Sequence, residues 1–473
     1  MLFKEALNTP CGLRYMYDAL DLQSAAGRRL LLETEMMTDP AEIAEHYSKL
    51  REIYNKADSK STETFQVKLV RLRDIKGTAG NLVSGAVLDD VELFEVKSLL
   101  LLAMEIRQEL SSLKITTVEV SPLCELVVRI LDPDGQKVPS FHIYDSYSED
   151  LAKARSRMRI EKDESDTLLR HIQELEDAIR KRLSEELRIY ANVVWLTLEG
   201  LAEIDVLLAQ SLQIKDMGLV FPENADDPSV NPKPQYTNKT PAGAVADNAA
   251  AIHPYGLMTK YKKMFHPQVK ELLREKGRDF QPVDISFGGG PVTIIGANMG
   301  GKTVALKTVG LCQLLFQFGF GIPADRAVIG VKKGVLFCIG EEDLSERGLS
   351  SFASEVVCLG RIIAAGRENG CLLALVDEPA RATNPVEGTA LVEAFIRIMA
   401  GTGTDLILTT HYKLEGTPGK KYRVKGLVNG QMDYELVKTD DSTIPHEAVN
   451  IAESLGADPQ WIALTKNILN NYE

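Results

Sequence analysis

The 473-residue chain reads as a mixed fold, a helical region followed by an α/β P-loop domain, on the strength of three features. Apolar residues recur at helical spacing through most of the amino-terminal half. A proline-rich break covers residues 221–254. Beyond it, a strand–Gly-x-x-x-x-Gly-Lys-Thr–helix segment is followed by two further apolar strands, one ending in a carboxylate pair and one in a histidine.

Residues 1–57 carry apolar positions of helical period, among them Leu13, Met16, Leu20, Ile43, Leu50 and Ile53. Asp39-Pro40 predicts a helix start, because Asp caps free N–H groups and Pro lacks one in the first turn. Residues 90–113 form another helical stretch. Glu125–Leu131 and Val138–Tyr144 flank Asp132-Pro133-Asp134-Gly135, a turn signal, and predict a small β hairpin. After Ser148, Leu168, Ile172, Leu175, Ile179, Leu183 and Leu187 recur at spacings of three and four, the stripe of a long amphipathic helix. Tyr190–Leu212 suits a returning helix, and the pair reads as an antiparallel hairpin. Lys153, Arg155, Arg157 and Arg159 are better explained as a solvated face than as a phosphate track. Pro222, Pro228, Pro232, Pro234 and Pro241 then exclude a regular element and mark a linker.

A net charge of -13, with 44% hydrophobic and 26% charged residues, is ordinary for a globular protein and unlike a strongly basic nucleic-acid binder. It leaves room for a local basic patch. Cysteines 11, 124, 312, 338, 358 and 371 lack metal-ligand spacing and read as reduced thiols. The amino terminus has no signal-peptide pattern, and the longest apolar run, Leu99–Met104, is far too short to span a bilayer. The expected location is cytoplasmic, with no membrane association.

Chemistry concentrates after residue 290. Val292–Ile295 is a short apolar strand, Gly296–Thr303 has the P-loop pattern, and Val304–Phe318 has helical periodicity. Glycines let backbone N–H groups close around phosphate, and the positive end of the helix faces the same anion. Lys302 is placed to reach the β- and γ-phosphates of ATP, and the Thr303 hydroxyl to ligate Mg2+. Cys371–Val376 is a buried-type strand ending in Asp377-Glu378. Asp377 would hold magnesium through water and Glu378 would orient or deprotonate the attacking water. Asp405–Thr410 delivers His411 at a strand's carboxyl end, where ligand groups of open α/β sheets belong, and so predicts a γ-phosphate sensor.

These segments resemble the MutS family. Ala297-Asn298-Met299-Gly300, ahead of Gly301 and followed by Val304, is similar to that family's Pro-Asn-Met-Gly loop, with Ala for Pro. Phe265-His266-Pro267 and Phe280-Gln281-Pro282-Val283-Asp284 resemble its upstream elements. The resemblance implies that Phe280 stacks on adenine, although Val283 replaces an Asn, and an ordinary core position is the alternative. Gly340–Phe352, followed by Glu355, resembles the signature segment in which a Ser of one protomer touches the other's γ-phosphate. That role carries over to Ser350, with Leu349 standing where the family has Arg. Arg381-Ala-Thr383-Asn384, Thr409-Thr-His411-Tyr412 and Glu447–Gly456 also have family counterparts. Thr9-Pro10-Cys11-Gly12, Asp145–Leu151 and Gly200–Leu207 resemble the family's core and lever segments.

The resemblance implies a helical core-like domain with the small β hairpin at 1–148 and a lever-like helical hairpin at 149–215. A linker at 216–262, a P-loop ATPase domain of ABC/MutS type at 263–435 and a helical dimerisation tail at 436–473 complete the division. No mismatch-reading domain, DNA-gripping clamp or nuclease-like appendage is expected. The implied function is that of a homodimeric ATPase whose ATP binding and hydrolysis drive a conformational change on DNA, of mismatch-repair or DNA-structure-binding type. The alternative is a protein partner, as for a reactivating factor of an adenosylcobalamin-dependent aminomutase.

Overall fold

The computed structural model describes residues 1–161, 166–226, 258–296, 301–340, 351–381, 383–428, 431–439, 449, 452–453 and 456–469. Eleven described helices come first: α1 (Phe3–Ala6), α2 (Leu13–Asp18), α3 (Ala25–Glu33), α4 (Pro40–Lys56), α5 (Ser59–Leu69), α6 (Lys76–Ser84), α7 (Asp90–Ser112), α8 (Cys124–Leu131), α9 (Glu149–Glu161), α10 (Asp166–Arg188) and α11 (Ala191–Met217). There follow β1 (Glu223–Asn224), β2 (Thr259–Met264), α12 (Pro267–Glu275), β3 (Val283–Phe287), β4 (Val292–Ile295), α13 (Lys302–Gln317), β5 (Arg326–Ile329) and β6 (Val335–Cys338). The last elements are α14 (Ser351–Asn369), β7 (Leu373–Val376), α15 (Pro385–Ala400), β8 (Asp405–Thr410), β9 (Lys420–Val428), β10 (Gln431–Lys438) and α16 (Pro459–Leu469). No helix among the described residues is long and apolar enough to cross a membrane.

The chain divides into two compact units, and the division is not a simple succession of helices and then sheet. One unit holds Met1–Ala19, Glu35–Tyr47 and Gln213–Glu473; the other holds Leu20–Thr34 and Ser48–Leu212.

The first unit contains both sheets. Strands β6, β7, β8, β4 and β9 are parallel neighbours in that order, and β10 closes the edge antiparallel to β9. The second sheet runs β1-β5-β2-β3. Leu373–Val376 and Val292–Ile295 are buried at every position, as parallel strands covered on both faces must be. Helix α13 lies against β6 and β7 at Gly310, where a Cβ would come within 2.5 Å of the Phe337 ring and 2.7 Å of Leu375. On α14 and α15, Ile362, Val392, Phe395 and Met399 pack with Val376, Leu406 and Leu408 of the sheet.

The carboxyl end of α13 is held by the chain's amino-terminal segments. Gln317 Nε2 donates to the Met37 carbonyl at 2.7 Å, and the Tyr47 hydroxyl donates to the Phe320 carbonyl at 2.7 Å. Phe3 stacks on Phe320 and meets Phe318 edge-on. Two segments singled out in the sequence also meet, since His266 Nε2 donates to the Cys11 carbonyl at 3.1 Å.

The second unit is helical. Asp89 caps α7 by accepting from Glu92 N at 2.8 Å, with the Glu92 side chain returning the bond. Lys97 on α7 is fully buried and directs its ammonium to Asp132 (3.1 Å) and the Tyr144 hydroxyl (2.9 Å). Asp205 accepts from the amide and hydroxyl of Ser24 (2.8 and 2.6 Å), while Ser24 Oγ accepts from Gly27 N to cap α3.

Three expectations are corrected. Residues 124–131 are helix α8, and 138–144 form no strand, so the small β hairpin is absent. Cys124, Val127, Val128 and Leu131 are all buried, a stripe at spacings of three and four that outweighs the β propensity of valine. The Asp132–Gly135 turn does form, with Gly135 N donating to the Asp132 carbonyl at 3.0 Å, but it ends a helix. The 216–262 linker is shorter than expected, because α11 reaches Met217 and β1 and the start of β2 lie inside it; residues 227–257 lie outside the described residues. Strand β10 runs on to Lys438, past the start assigned to the carboxy-terminal tail.

Burial of the His266 imidazole lowers its pKa from 6.5 to about 4, only partly opposed by the bond to Cys11. The unfolded chain therefore takes up a proton at this site between those values that the folded chain refuses. Stability is complete above about pH 6.5 and falls with acidification, by about 3 kcal/mol at pH 4 from this group. Urea unfolding followed from pH 7 to 4 should show this loss, and His266→Gln should flatten it.

Candidate active site

The strand registers assemble the site. Ile295 pairs with Thr410 on one side and Arg423 on the other, and Val376 pairs with Leu408 and Cys338. The residues that follow, Gly296, Asp377 and His411, therefore emerge together at the carboxyl edge of one parallel sheet. Helix α13 begins at that edge. Its N-cap, Gly301, sits at φ 75, a left-handed conformation that glycine adopts without Cβ strain.

Lys302 and Thr303 open the helix. Lys302 is only 4% exposed, and its ammonium reaches the Gly296 carbonyl at 2.6 Å and a Glu378 carboxylate oxygen at 2.9 Å. The Thr303 hydroxyl donates to Asp377 Oδ2 at 2.8 Å, and the Thr409 hydroxyl donates to Asp377 Oδ1 at 2.5 Å. Asp377 is thus gripped on both oxygens, one partner from α13 and one from β8. Val304 sits in the first turn, and its carbonyl accepts from the Thr308 hydroxyl at 2.6 Å.

The turn after β7 is strained. Glu378 has φ 44 and Ala380 φ 61, where a Cβ costs roughly 1–2 kcal/mol per residue. Three neighbours hold it. Glu378 N donates to the Thr409 carbonyl and hydroxyl (3.2 and 3.0 Å), Ala380 N to Glu355 (2.7 Å), and the Tyr412 hydroxyl to the Ala380 carbonyl (2.6 Å). Burial raises the pKa of Glu355, opposed by its bond to Ala380 N and by Arg381. Arg381 stands 3.9 Å from the far oxygen of Glu378.

His411 is half-buried, and its Nδ1 has no hydrogen-bond partner among the described residues. Desolvation lowers its pKa, the Glu378 carboxylate acting in the opposite direction, so the ring is neutral near pH 7. Phe280, half-buried, precedes β3. The next side chain, Gln281, donates to Asp433 (2.6 Å) and accepts from Tyr434 N (2.9 Å). Tyr434 went unnoticed in the sequence, yet its ring lies 3.0 Å from the place a Cβ would occupy on Gly301 and is 37% exposed. Thr409 and Glu355 were visible only as parts of longer motifs; no local pattern says that one grips Asp377 and the other supports the turn. Asn298, Met299, Gly300 and Ser350 lie outside the described residues.

The arrangement combines a buried cation at a helix amino end, a hydroxyl–carboxylate pair and a second carboxylate within reach of the cation. A hard-oxygen pair such as Thr303 with Asp377 suits Mg2+, and the ammonium with the helix end suits phosphate oxygens. No cluster of three or more His, Cys, Asp or Glu side chains fit to hold a metal occurs among the described residues.

Residues 292–450 match the family described as MutS domain V. The chain is similar to Endonuclease MutS2 of Pediococcus pentosaceus, 34% identical over 197 residues, which is 40% of this chain and 25% of the relative. Endonuclease MutS2 of Caldanaerobacter subterraneus is 30% identical over 259 residues, 54% of this chain and 28% of the relative. Endonuclease MutS2 of Thermomicrobium roseum is 29% identical over 311 residues, 62% and 35% of the two chains. These matches span a quarter to about a third of the length of the relatives.

Proposed function

We propose that this MutS-family chain, an ATPase by its domain V, is a magnesium-dependent homodimer whose ATP cycle acts on DNA. The observation that carries the ATPase reading is the convergence of Lys302, Thr303, Asp377 and Glu378 at one sheet edge.

Thr303 and Asp377 would hold Mg2+, which when bound neutralises phosphate charge. Lys302 binds the β- and γ-phosphate oxygens, alongside the backbone of Gly296, Asn298, Met299, Gly300 and Gly301, with Val304 behind them in the helix. Glu378 accepts the proton of the attacking water at a carboxylate oxygen, and neutral His411 donates to or senses the γ-phosphate. Phe280 and Tyr434 provide aromatic faces for the base, and Ser350 is contributed in trans. The DNA assignment rests on kinship with proteins named Endonuclease MutS2.

The alternative to DNA is a protein as the substrate of the cycle. The basic run on α9 is tied to carboxylates: Arg155 to Asp145 (2.6 Å) and Glu176 (2.8 Å), Lys153 to Glu149 (3.5 Å) and Arg159 to Asp145 (3.8 Å). Arg155 is thereby held in place, whereas Lys153 and Arg159, 70% and 73% exposed in long surface pairs, remain open to solvent.

Dimerisation is supported by α16, where Trp461, Leu464 and Ile468 are 63%, 60% and 47% exposed at spacings of three and four. A contiguous apolar stripe on a surface helix marks an interaction site.

Steady-state ATP hydrolysis with homoduplex, mismatched and branched DNA, at two salt concentrations, tests the reading. Salt-sensitive stimulation is expected; a basal rate indifferent to every DNA excludes DNA from the cycle and favours the protein substrate. Lys302→Ala should abolish nucleotide binding. Glu378→Gln should retain binding and lower turnover on the order of a hundredfold or more, and a wild-type rate would remove Glu378 from the base role. Tyr434→Ala should weaken ATP binding about tenfold, the loss of one stacking contact, with the maximal rate little changed. Sedimentation velocity should find a dimer for the unaltered chain and a monomer for Trp461→Glu/Leu464→Glu.

A further inference from the structure

The helical unit carries an open groove that takes no part in the proposed chemistry. It has a volume of about 810 Å³ and runs along α7, between the end of α5 and the loop after α8. Its floor is apolar, with Leu101 and Leu102 buried and Phe94 half-buried. In that floor the Ser98 hydroxyl is buried with no hydrogen-bond partner among the described residues.

Its rim is cationic. Arg71, Arg73, Arg107 and Lys137 line it, against Glu105 and Glu125. Arg71 pairs with Glu105 and Arg129 with Glu125, which offsets the acidic side. The side chains of Arg73, Arg107 and Lys137 are exposed and make no ion pair among the described residues. Arg73 is steadied over the Phe94 ring, 5.4 Å from its centroid. Such a concentration of unspent positive charge runs against the net charge of -13 of the whole chain.

We infer that this groove is a docking site for an acidic amphipathic helix of a partner protein. An apolar floor of leucines and one phenylalanine accepts aliphatic anchors at helical spacing, and a cationic rim selects carboxylates on either side of them. A nucleic acid strand would need stacking faces, of which the floor offers one.

The test uses the full chain and a fluorescein-labelled synthetic helix of about sixteen residues, with Leu at spacings of three and four and Glu elsewhere. Anisotropy should show saturable micromolar binding that weakens as salt rises from about 50 to 300 mM. Arg73→Glu/Arg107→Glu should weaken it at least about tenfold. Ser98→Phe, which fills the floor without changing charge, should do likewise, each variant being checked for an unchanged thermal unfolding curve. The inference is overturned if a Lys-for-Glu version of the helix binds as well, or if either folded variant binds like the unaltered chain. It is equally overturned if labelled single-stranded DNA binds with the same arginine dependence while the acidic helix does not. Dissociation of a dimer by Arg73→Glu/Arg107→Glu would reassign the groove to a second copy and likewise overturn it.

Discussion

A positive charge taken almost wholly out of water organises the carboxyl edge of the parallel sheet in this protein. The Lys302 ammonium, 4% exposed, could not persist there uncompensated, because an isolated buried charge costs several kcal/mol. The Gly296 carbonyl and the Glu378 carboxylate supply the compensation at 2.6 and 2.9 Å. Glu378 reaches it from a left-handed backbone at φ 44, so the strain of that turn is tied to the burial of the lysine. Glu355, Tyr412 and Thr409 hold the turn in place through its backbone. Removing the Glu355 carboxylate or the Tyr412 hydroxyl would loosen the turn without touching Lys302 or Asp377.

The same edge ties two parallel strands to one helix. Asp377 accepts from Thr303 on α13 and Thr409 on β8, so β7, β8 and the amino end of α13 share one carboxylate. At its other end α13 is bonded through Gln317 to Met37 and crowned by Phe3 against Phe318 and Phe320. Gln317 also accepts from Lys332 N, while the Lys332 ammonium pairs with Asp405 at 2.7 Å in the same buried layer. Because these polar groups are desolvated and mutually satisfied, they specify one seating of the helix. Displacing α13 axially would break bonds at both ends at once. This explains why the amino-terminal residues belong to the sheet-containing unit rather than to the helices that follow them in sequence.

Local chemistry was legible wherever the signal lay within one element. The P-loop pattern, Asp377-Glu378 after an apolar strand, and His411 after another could be read because strand ends and helix starts have short-range signatures. The Asp39-Pro40 start appeared as read, with Asp39 accepting from Ala41 N at 2.9 Å. Reading failed where two periods competed. Glu125–Leu131 supports either alternation or a helical stripe, and only the burial of Cys124, Val127, Val128 and Leu131 together chose the helix.

What the sequence by itself determined was therefore the inventory: a P-loop, two carboxylates, a histidine and long helices. Only the tertiary structure decided which of these meet. The order β9-β4-β8-β7 sets Thr409 beside Asp377, and the β9–β10 ribbon brings Tyr434 to Gly301, some 130 residues away in the chain. Strand order, the attachment of residues 1–19 to the sheet-containing unit and the cationic groove on α7 depend on contacts between segments far apart in the chain. No local periodicity encodes such contacts, because they are chosen by the burial and hydrogen bonding of the whole fold.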